Sequence, residues 1–412
     1  MASSTHASSD VSAVDVLIAG AGPAGSATAA FLARAGLRVA LADRAAFPRD
    51  KACSEYMGPE AVRILDRLGV VDSLEMAGAQ PLTGTAVTSS RGSRLHGEFA
   101  RAGHHPFRAT GLSVPRRMLD ERLVEAARAA GADLLERATL EELLYEGGAV
   151  AGGVLRRPDG ATHAIRARLT VGADGLRSVV ARRLGGRRHG RPRRVAFVAH
   201  LDGVEGMESS AEMHVGTRGY VGLNPLGGGR TNVTLVVPSA HARAASGRAE
   251  AFYLEGLREF PGVLWRVERA RVARRVLATG PFAAWSGRVT ADGAALVGDA
   301  ADFFDPFTGE GIYCALRGAE LLAAAVLRTA ERKGLVTARE LAAYRRERRR
   351  VFVGKWAVER LVGYAMEFPR LFDRAVGRLH RRGMAHTFVG VTGDFVPARA
   401  VLNPLFLARM VL

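Results

Sequence analysis

A strand, a glycine-rich turn and a helix near the start of the chain constrain its fold more than any other feature. Residues 14–19 are an apolar run, residues 20–25 read Gly-Ala-Gly-Pro-Ala-Gly, and a helical pattern covers residues 26–35. A second apolar run, residues 37–42, leads to Asp43. A glycine-rich turn between a strand and a helix, inside a βαβ unit, predicts a Rossmann-like dinucleotide-binding domain.

Each glycine of this turn has its own task. Gly20 permits the tight turn, Gly22 lets the backbone approach a pyrophosphate, and Gly25 lets the helix pack closely on the strand. The helix N-terminus offers unpaired N–H groups to phosphate, and the carboxylate of Asp43 can accept hydrogen bonds from ribose hydroxyls. This motif alone is compatible with either FAD or NAD. Its candidate contacts are Gly20, Gly22, Pro23, Ala24, Gly25, Asp43 and Arg44.

Two downstream segments favour FAD. In residues 170–185 an apolar run ends in Gly-Ala-Asp-Gly, and in residues 294–312 another ends in Gly-Asp-Ala. Asp299 can accept a hydrogen bond from a ribityl hydroxyl. The turn at 309–311 would aim a helix N-terminus at the isoalloxazine, where a positive dipole end favours the anionic reduced flavin. The candidate contacts here are Asp174, Gly175, Gly298, Asp299, Pro306, Gly309, Gly311 and Ile312.

With these three segments in this order, the sequence resembles the flavoprotein hydroxylases of the p-hydroxybenzoate hydroxylase fold over about residues 14–330. Within them it is similar to the branch of geranylgeranyl reductases and flavin-dependent halogenases. The resemblance implies that Arg116 reaches the FAD, with Arg117 as the alternative register. It also implies that the segment FPRDKACSEYMGP, with Lys51 and Cys53, passes along the flavin.

Two side chains of that segment leave their roles open. Cys53 has no second cysteine near it in sequence, so a packing or flavin-contact role is favoured over a reactive thiol. Glu55 is either an acid or base, or a structural or helix-capping residue. No acid–base pair and no metal site is predicted, and His200 and His214 are expected to be structural.

The order of apolar patterns predicts a mixed α/β (α+β) fold. A Rossmann-like FAD-binding domain of the GR2 type is interrupted by a β-rich substrate domain and followed by a helical C-terminal region. We expect helices over residues 60–68, 117–130, 249–260 and 311–328. The predicted segments are FAD-binding at 13–80, 112–185 and 286–335, substrate-binding at 81–111 and 186–285, and helical at 336–412.

Three reactions are known in that branch or fold, and the sequence departs from two of them. The branch's halogenases carry Gly-Glu-Ser where this chain has Cys-Ser-Glu at 53–55, a lysine shortly after it, and a W-x-W-x-I-P segment. This chain has no lysine between 52 and 332, and its three tryptophans form no such motif. Halogenation is therefore not expected.

Geranylgeranyl reductases carry Y-x-W-x-F-P, whereas residues 220–225 read Tyr-Val-Gly-Leu-Asn-Pro. Gly222 and Asn224 would widen the substrate cavity and make it less apolar, which places alkene reduction second. The candidate substrate-pocket residues are Tyr220, Gly222, Asn224 and Pro225.

Monooxygenation is the leading prediction, because it requires only that the protein position a substrate, exclude water and tune the flavin. The expected reaction is hydroxylation or epoxidation with O₂ of a hydrophobic or aromatic small molecule of secondary metabolism, such as a polyketide in antibiotic biosynthesis. NADH or NADPH is the expected reductant, and a separate reductase or ferredoxin is the alternative.

The net charge of +17 comes almost entirely from arginine, since lysine occurs only at 51, 333 and 355. The densest stretch, residues 181–194, has no interleaved aromatic residues, which argues against nucleic-acid binding. A non-catalytic flavin- or nucleic-acid-binding protein is the third alternative.

The remaining features concern location and the two termini. Residues 1–12 are expected to be a disordered leader without an apolar core, and two cysteines make no disulfide framework, so a cytoplasmic location is expected. The apolar tail, residues 393–412, is predicted to cover the core, with a lid or a weak membrane contact as the alternative.

Overall fold

The structure is a computed structural model that describes residues 12–411. Within this range the chain forms thirteen α-helices and four sheets. The helices are α1 Pro23–Arg34, α2 Pro59–Leu68, α3 Val71–Met76, α4 Arg116–Ala129, α5 Val179–Arg183, α6 Ser239–Ala242, α7 Ala249–Leu257, α8 Pro261–Val267, α9 Gly311–Leu327, α10 Ala342–Ala365, α11 Pro369–Arg381, α12 Ala385–Thr392 and α13 Pro404–Val411.

The strands are numbered along the chain from β1 to β21. They are β1 Ser12–Ala19, β2 Val39–Ala42, β3 Tyr56–Met57, β4 Gln80–Leu82, β5 Gly84–Thr88, β6 Arg94–Glu98, β7 Gly111–Ser113, β8 Asp133–Leu135, β9 Thr139–Glu146, β10 Ala149–Arg156, β11 Thr162–Gly172, β12 Arg187–His189, β13 Arg194–Asp202, β14 Ser210–Val215, β15 Tyr220–Gly227, β16 Arg230–Pro238, β17 Arg271–Thr279, β18 Ala284–Ser286, β19 Thr290–Ala291, β20 Ala294–Leu296 and β21 Asp302–Phe303.

The first sheet is the nucleotide-binding sheet, with the order β19-β20-β11-β1-β2-β8 and the β9–β10 hairpin attached to β11. Strands β20, β11, β1, β2 and β8 run parallel. Side chains alternate across the sheet, so Val16 and Ile18 pack against α1, α4 and α9, while Leu17 faces the hairpin. In register, Ala19 pairs with Gly172 and Gly172 with Leu296. The three predicted cofactor segments therefore meet at one sheet edge.

The second large sheet has the order β17-β13-β16-β15-β14-β5-β6. One face, which carries Tyr220 and Val236, is covered by the C-terminal helices α10 to α12. The other face, which carries Val221 and Leu235, packs on α7 and α8. Of the tail at residues 393–412, Val396 and Val401 are buried in the same core.

Two three-stranded sheets, β3-β7-β4 and β12-β18-β21, join the two large sheets. In the first, Tyr56 pairs with Ser113, which fixes the segment after β2 against the start of α4. The strand β4 belongs to this joining sheet, whereas β5 and β6 belong to the seven-stranded one.

The predicted α/β fold class is confirmed, and the structure corrects several boundaries. Helix α1 begins at Pro23, three residues before the expected start, because proline at the first helical position needs no hydrogen-bond partner. The helical insert extends to Val267, because Pro261 opens a second helix after α7. Of the predicted leader, residues 1–11 lie outside the described residues, and Ser12 already belongs to β1. Within residues 12–411, no helix is both long and apolar enough to cross a membrane.

Candidate cofactor and substrate site

The glycine-rich turn has the close packing that its sequence predicts. Gly20 has φ +99°, and a Cβ there would lie 2.5 Å from the carbonyl oxygen of Ala173. A Cβ on Gly25 would overlap the carbonyl oxygen of Gly20. These two glycines are therefore required by the strand–helix junction itself, and Gly22 is the N-cap residue of α1.

Asp43 lies beneath this turn and is buried. Its Oδ2 accepts a hydrogen bond of 2.8 Å from the Ala21 N–H, and its Oδ1 accepts one of 2.9 Å from the Ala45 N–H. The carboxylate thus fixes the glycine-rich turn relative to the end of β2. Because a carboxylate oxygen has further lone pairs, this arrangement still allows hydrogen bonds from ribose hydroxyls.

Two arginines face the open side of Gly22. The nearest Nη2 atoms of Arg116 and Arg49 lie 3.7 and 3.8 Å from the position of a Gly22 Cβ. Arg116 donates from Nε and Nη2 to Asp120, at 2.7 Å each, and Arg49 lies 2.9 Å from the same carboxylate. Arg117 is exposed, so the structure places Arg116 at the turn. The pair forms a cationic wall beside a helix N-terminus, which suits a pyrophosphate.

Lys51 and Asp299 extend this charged region toward β20. Burial and the nearby Arg116 and Arg49 guanidinium groups lower the pKa of Lys51. Partial burial raises the pKa of Asp299 to about 6, although Lys51 and Arg116 act in the opposite direction. Both shifts follow from withdrawing charged groups from water.

Asp174, at the end of β11, has an unused acceptor. Its Oδ2 accepts a 2.7 Å hydrogen bond from the Val179 N–H, whereas its buried Oδ1 has no hydrogen-bond partner within residues 12–411. Burial raises the pKa of this carboxyl. Arg187 ties the two downstream segments together, donating to the carbonyl oxygens of Leu176 and Ala300 at 2.9 Å each.

Asp305 stabilises the turn before α9 through hydrogen bonds. This carboxylate accepts hydrogen bonds from the Phe307 N–H, the Tyr220 hydroxyl and the Arg194 guanidinium, at 3.1, 2.7 and 2.7 Å. Gly309 has φ +73° and packs on the ring of Tyr56, which lies 2.5 Å from the position of a Cβ. The first residue of α9 is Gly311. Pro306, Gly309 and the start of α9 with Ile312 therefore border the same space.

Glu55 connects this edge to the seven-stranded sheet. It is fully buried and has φ +62°, a conformation that costs energy for any residue with a Cβ. Its Oε1 accepts from the Arg116 backbone N–H at 2.8 Å, which caps α4. Its Oε2 lies 2.6 Å from His200 Nε2 and accepts from Asn232 Nδ2 at 2.8 Å. The capping alternative is the one that this geometry supports, and His200 is a hydrogen-bonded core residue.

Cys53 lies on the same segment, packed against the core of the nucleotide-binding domain. Burial raises the pKa of its thiol, although the nearby Arg116 acts in the opposite direction. The sulfur is therefore a neutral thiol at pH 7. Its backbone carbonyl accepts a 2.7 Å hydrogen bond from Asn232, a residue of the neighbouring cavity.

A cavity of about 610 Å³, counting its open part, lies between the seven-stranded sheet, the segment at 54–56, the turn at 306–309 and α12. Its walls are mainly apolar, with Val87, Met213, Phe307 and Phe388 among them. The polar residues along the walls are Ser54, Tyr56, Thr85, Thr234, Thr308, Thr392, Asn224, Asn232 and Glu212.

The four predicted pocket residues separate into two pairs. Gly222 and Asn224 line the cavity, and a Cβ on Gly222 would lie 3.3 Å from the Met213 sulfur. Tyr220 instead points to Asp305, and Pro225 is not among the lining residues. Tyr220 shares the face of Gly222 and Asn224 but lies beyond the cavity, whereas Pro225 directly follows Asn224 and lies on the opposite face of β15.

Glu212 is the carboxylate that borders the cavity, and its negative charge is balanced by Arg266. Burial raises its pKa, but hydrogen bonds from His214 and Arg266 outweigh burial and lower it to about 2. His214 is thereby a paired structural residue. Glu212 is thus ionised at neutral pH and is no source of protons.

Several site residues were missing from the sequence prediction. Asp120 stands four residues after Arg116 on α4, a spacing that places the two side chains on one helix face, so it could have been found. Arg49 lies inside the segment singled out for Lys51 and Cys53. Arg187 and Asn232 carry no local signal, because only tertiary packing brings them to the site.

These residues fit FAD. A glycine-lined helix start faces two guanidinium groups, Asp174 presents an unpaired buried oxygen, and a second helix begins beside an apolar cavity. The first group suits a pyrophosphate, and the last suits an aromatic ring system. The fold and the site define a flavoprotein.

Comparison with known proteins names the class more closely. The model of the FAD binding domain family matches residues 13–358. The chain therefore belongs to this family and is an FAD-dependent oxidoreductase, in the branch that the sequence resemblance indicated.

Two relatives and one solved structure illustrate that branch. Menaquinone reductase of Mycolicibacterium smegmatis is 32% identical over 326 residues, which are 75% of each chain. Digeranylgeranylglycerophospholipid reductase 2 of Methanothermobacter thermautotrophicus is 32% identical over 339 residues, 80% of this chain and 82% of that one. The myxobacterial chondrochloren halogenase, an FAD-dependent enzyme, has a TM-score of 0.79 and 23% identity, covering 97% of this chain and 95% of its own. This structural similarity shows that the two proteins share a fold.

Proposed function

We propose that the protein reduces a carbon–carbon double bond of a hydrophobic, isoprenoid-type substrate. The observation that carries this proposal is the apolar cavity, which is bordered by the glycine turn before α9 and by the segment of Cys53 to Tyr56. The reductase names of two relatives at 32% identity support it. This order reverses the preference drawn from sequence, in which monooxygenation came first.

The residues proposed to hold FAD fall into three groups. The glycine turn and the guanidinium pair of Arg49 and Arg116 bind the pyrophosphate, Asp43 binds the ribose, and the later segments bind the ribityl chain and the ring. The proposed contacts are Gly20, Gly22, Pro23, Ala24, Gly25, Asp43, Arg44, Arg49, Lys51, Cys53, Arg116, Asp174, Gly175, Gly298, Asp299, Pro306, Gly309, Gly311 and Ile312.

Reduction of an alkene requires a hydride on one carbon and a proton on the other. FAD, when bound and reduced, would supply the hydride, and the protein's own residues would supply the position and the proton. Burial raises the pKa of Tyr56, so its hydroxyl stays protonated at the cavity wall and gives up its proton only to a much stronger base, such as the carbanion-like carbon that hydride addition leaves on the substrate. Thr85 donates a 3.4 Å hydrogen bond to that oxygen, which leaves the phenol proton free to point into the cavity. We assign proton donation to Tyr56 and exclusion of water to the apolar walls.

Monooxygenation is the second candidate, and a specific observation favours it. Gly222 and Asn224 widen the cavity and add an amide where a prenyl reductase carries bulky apolar residues, which suits a broader and more polar substrate such as an aromatic polyketide. For either reaction we propose NADH or NADPH as the electron source.

Product mass distinguishes the two reactions. The flavin-loaded protein is incubated with NADPH or NADH, ¹⁸O₂ and a geranylgeranyl-chain substrate or an aromatic polyketide. Reduction adds two hydrogens per double bond and no label, whereas oxygenation adds one ¹⁸O atom. Labelled product as the main species would overturn the reductase proposal.

A further inference from the structure

An apolar row runs along the solvent side of α10. Val353, Leu361 and Tyr364 follow at helical spacing, and Phe368 continues the row just after the helix ends. These side chains are 54%, 39%, 50% and 60% exposed. The opposite side of α10, with Phe352, Val358 and Val362, is already buried against the core. Packing of the fold therefore does not explain the outer row.

Four arginines lie along one side of the next helix, α11; three of them are exposed, and Arg378 is half-buried. Arg370, Arg374, Arg378 and Arg381 lie at spacings of four, four and three residues, so they share one face. In the part of the chain that the structure describes, none of the four lies within 4.0 Å of a carboxylate. Desolvation and the charges of Arg382, Arg374 and Arg381 lower the pKa of Arg378, as expected where positive charge is concentrated.

The acidic residues nearby do not neutralise this row. Glu367 pairs with Arg194 on the inner side, and Asp373 accepts a hydrogen bond from Ser89. Leu405 of α13, a helix that packs on α11, is 69% exposed and adds to the apolar part. We call the surface of Val353, Leu361, Tyr364, Phe368, Leu371, Leu405 and the four arginines the apolar–arginine face.

We propose that the apolar–arginine face binds an anionic phospholipid bilayer. Exposed aromatic and aliphatic side chains enter the boundary between headgroups and acyl chains, while arginines pair with lipid phosphates. A nucleic acid would use the arginines but not the aliphatic row. The next helix along the chain, α12, forms a wall of the substrate cavity, so bound protein would hold that cavity close to a lipid phase.

This proposal goes beyond the proposed reaction and does not depend on it, because vesicle binding needs no turnover. The test is co-sedimentation of the flavin-loaded, full-length protein with vesicles of phosphatidylglycerol and phosphatidylcholine, and with vesicles of phosphatidylcholine alone. We expect binding to the anionic vesicles that weakens at least tenfold between 0.1 and 0.5 M NaCl.

Two double variants test the face itself. Tyr364→Ser/Phe368→Ser and Arg370→Gln/Arg374→Gln are each expected to weaken binding to anionic vesicles more than tenfold, since each arginine near such a surface contributes about fivefold. All four side chains are exposed, so folding is expected to persist and is checked by flavin absorbance and thermal unfolding.

Matched controls distinguish binding by the apolar–arginine face from a general effect of positive charge or of exposed apolar side chains. Arg182→Gln/Arg193→Gln removes the same charge from the arginine-rich stretch, and Met76→Ser removes an apolar side chain that is 83% exposed elsewhere. Both controls are expected to bind as the unchanged protein does. Absence of vesicle binding, equal losses in the controls, or a dimer in solution that the Tyr364/Phe368 variant dissociates would each overturn the proposal.

Discussion

The carboxylate of Glu55 lies 2.6 Å from His200 Nε2 and joins two parts of the fold that are 145 residues apart in sequence. The same carboxylate also accepts hydrogen bonds from the start of α4 and from Asn232. One buried side chain thus fixes the flavin-side segment to the sheet that carries the substrate cavity. A paired acid at this position organises the site and is not required as a base.

We expect Glu55→Ala to lower the free energy of unfolding by about 3 kcal/mol, because it leaves buried donors without an acceptor. Flavin retention should fall as well, since Arg116 and Cys53 lose their support. Denaturant unfolding and flavin content measure the two effects. Glu331→Ala, at an exposed position, is the control and should change stability by less than about 0.5 kcal/mol. Equal stability of the two variants would contradict the role given to Glu55.

The close packing of the glycine-rich turn at residues 20–25 gives a second prediction. Gly25→Ala places a methyl group on the Gly20 carbonyl oxygen, so the protein should be purified without flavin or fail to fold. The control is Gly36→Ala, where φ is +86° but the Cβ position is open, so only about 1 kcal/mol of stability should be lost. Absorbance near 450 nm reports the bound flavin. Flavin-loaded Gly25→Ala protein would show that the close contact is not required.

Which parts of the site could be predicted depended on how far apart in sequence the contacting residues lie. Gly20, Gly25 and Asp43 lie within one βαβ unit, where spacing alone defines their geometry, and the parallel register brought Asp174 and Asp299 to the same edge as expected. The position of Gly222 and Asn224 at the cavity followed from the similarity of residues 220–225 to the reductases' Y-x-W-x-F-P segment.

The other part of the site depends on contacts between distant segments. Nothing near Glu55 in sequence indicates His200 or Asn232, and nothing near Asp305 indicates Tyr220. The left-handed backbone conformation of Glu55 likewise cannot be predicted from the local sequence. It is stabilised by hydrogen bonds to residues that are distant in sequence and not by the residues next to it. Such residues become visible only when the sheets are packed.

Asp299 gives a prediction for pH. Its pKa in the folded protein, about 6, is above the ordinary value of 3.8, so the native state holds more protons than the unfolded state between these values. The free energy of unfolding of the flavin-free protein should therefore fall as pH rises from about 4 to 6, with a contribution of about 3 kcal/mol from this group. Above pH 6 the contribution is constant.

The variant Asp299→Asn should remove this slope and be more stable than the unchanged protein at pH 7.5, while binding FAD less tightly. Asp66→Asn, at an exposed helical position, serves as the control for the loss of one carboxylate. Urea unfolding at pH 4.5 and 7.5 measures the difference. A slope that persists in Asp299→Asn would assign it to another group.

Tyr56 provides a test of proton donation. Tyr56→Phe keeps the ring against Gly309 and removes the hydroxyl, so FAD should bind unchanged while the rate of alkene reduction in a single turnover falls at least tenfold. Tyr145→Phe, on an exposed strand, is the matched control. An unchanged rate in Tyr56→Phe would transfer proton donation to another group.

The reaction itself is tested most directly without oxygen. The flavin of the full-length protein is reduced chemically under anaerobic conditions and mixed with a substrate that carries a geranylgeranyl chain, while absorbance near 450 nm is followed. Alkene reduction predicts that the flavin is reoxidised in the absence of O₂, with one double bond reduced for each flavin. Flavin that stays reduced until O₂ is admitted, with oxygen then found in the product, would contradict the account.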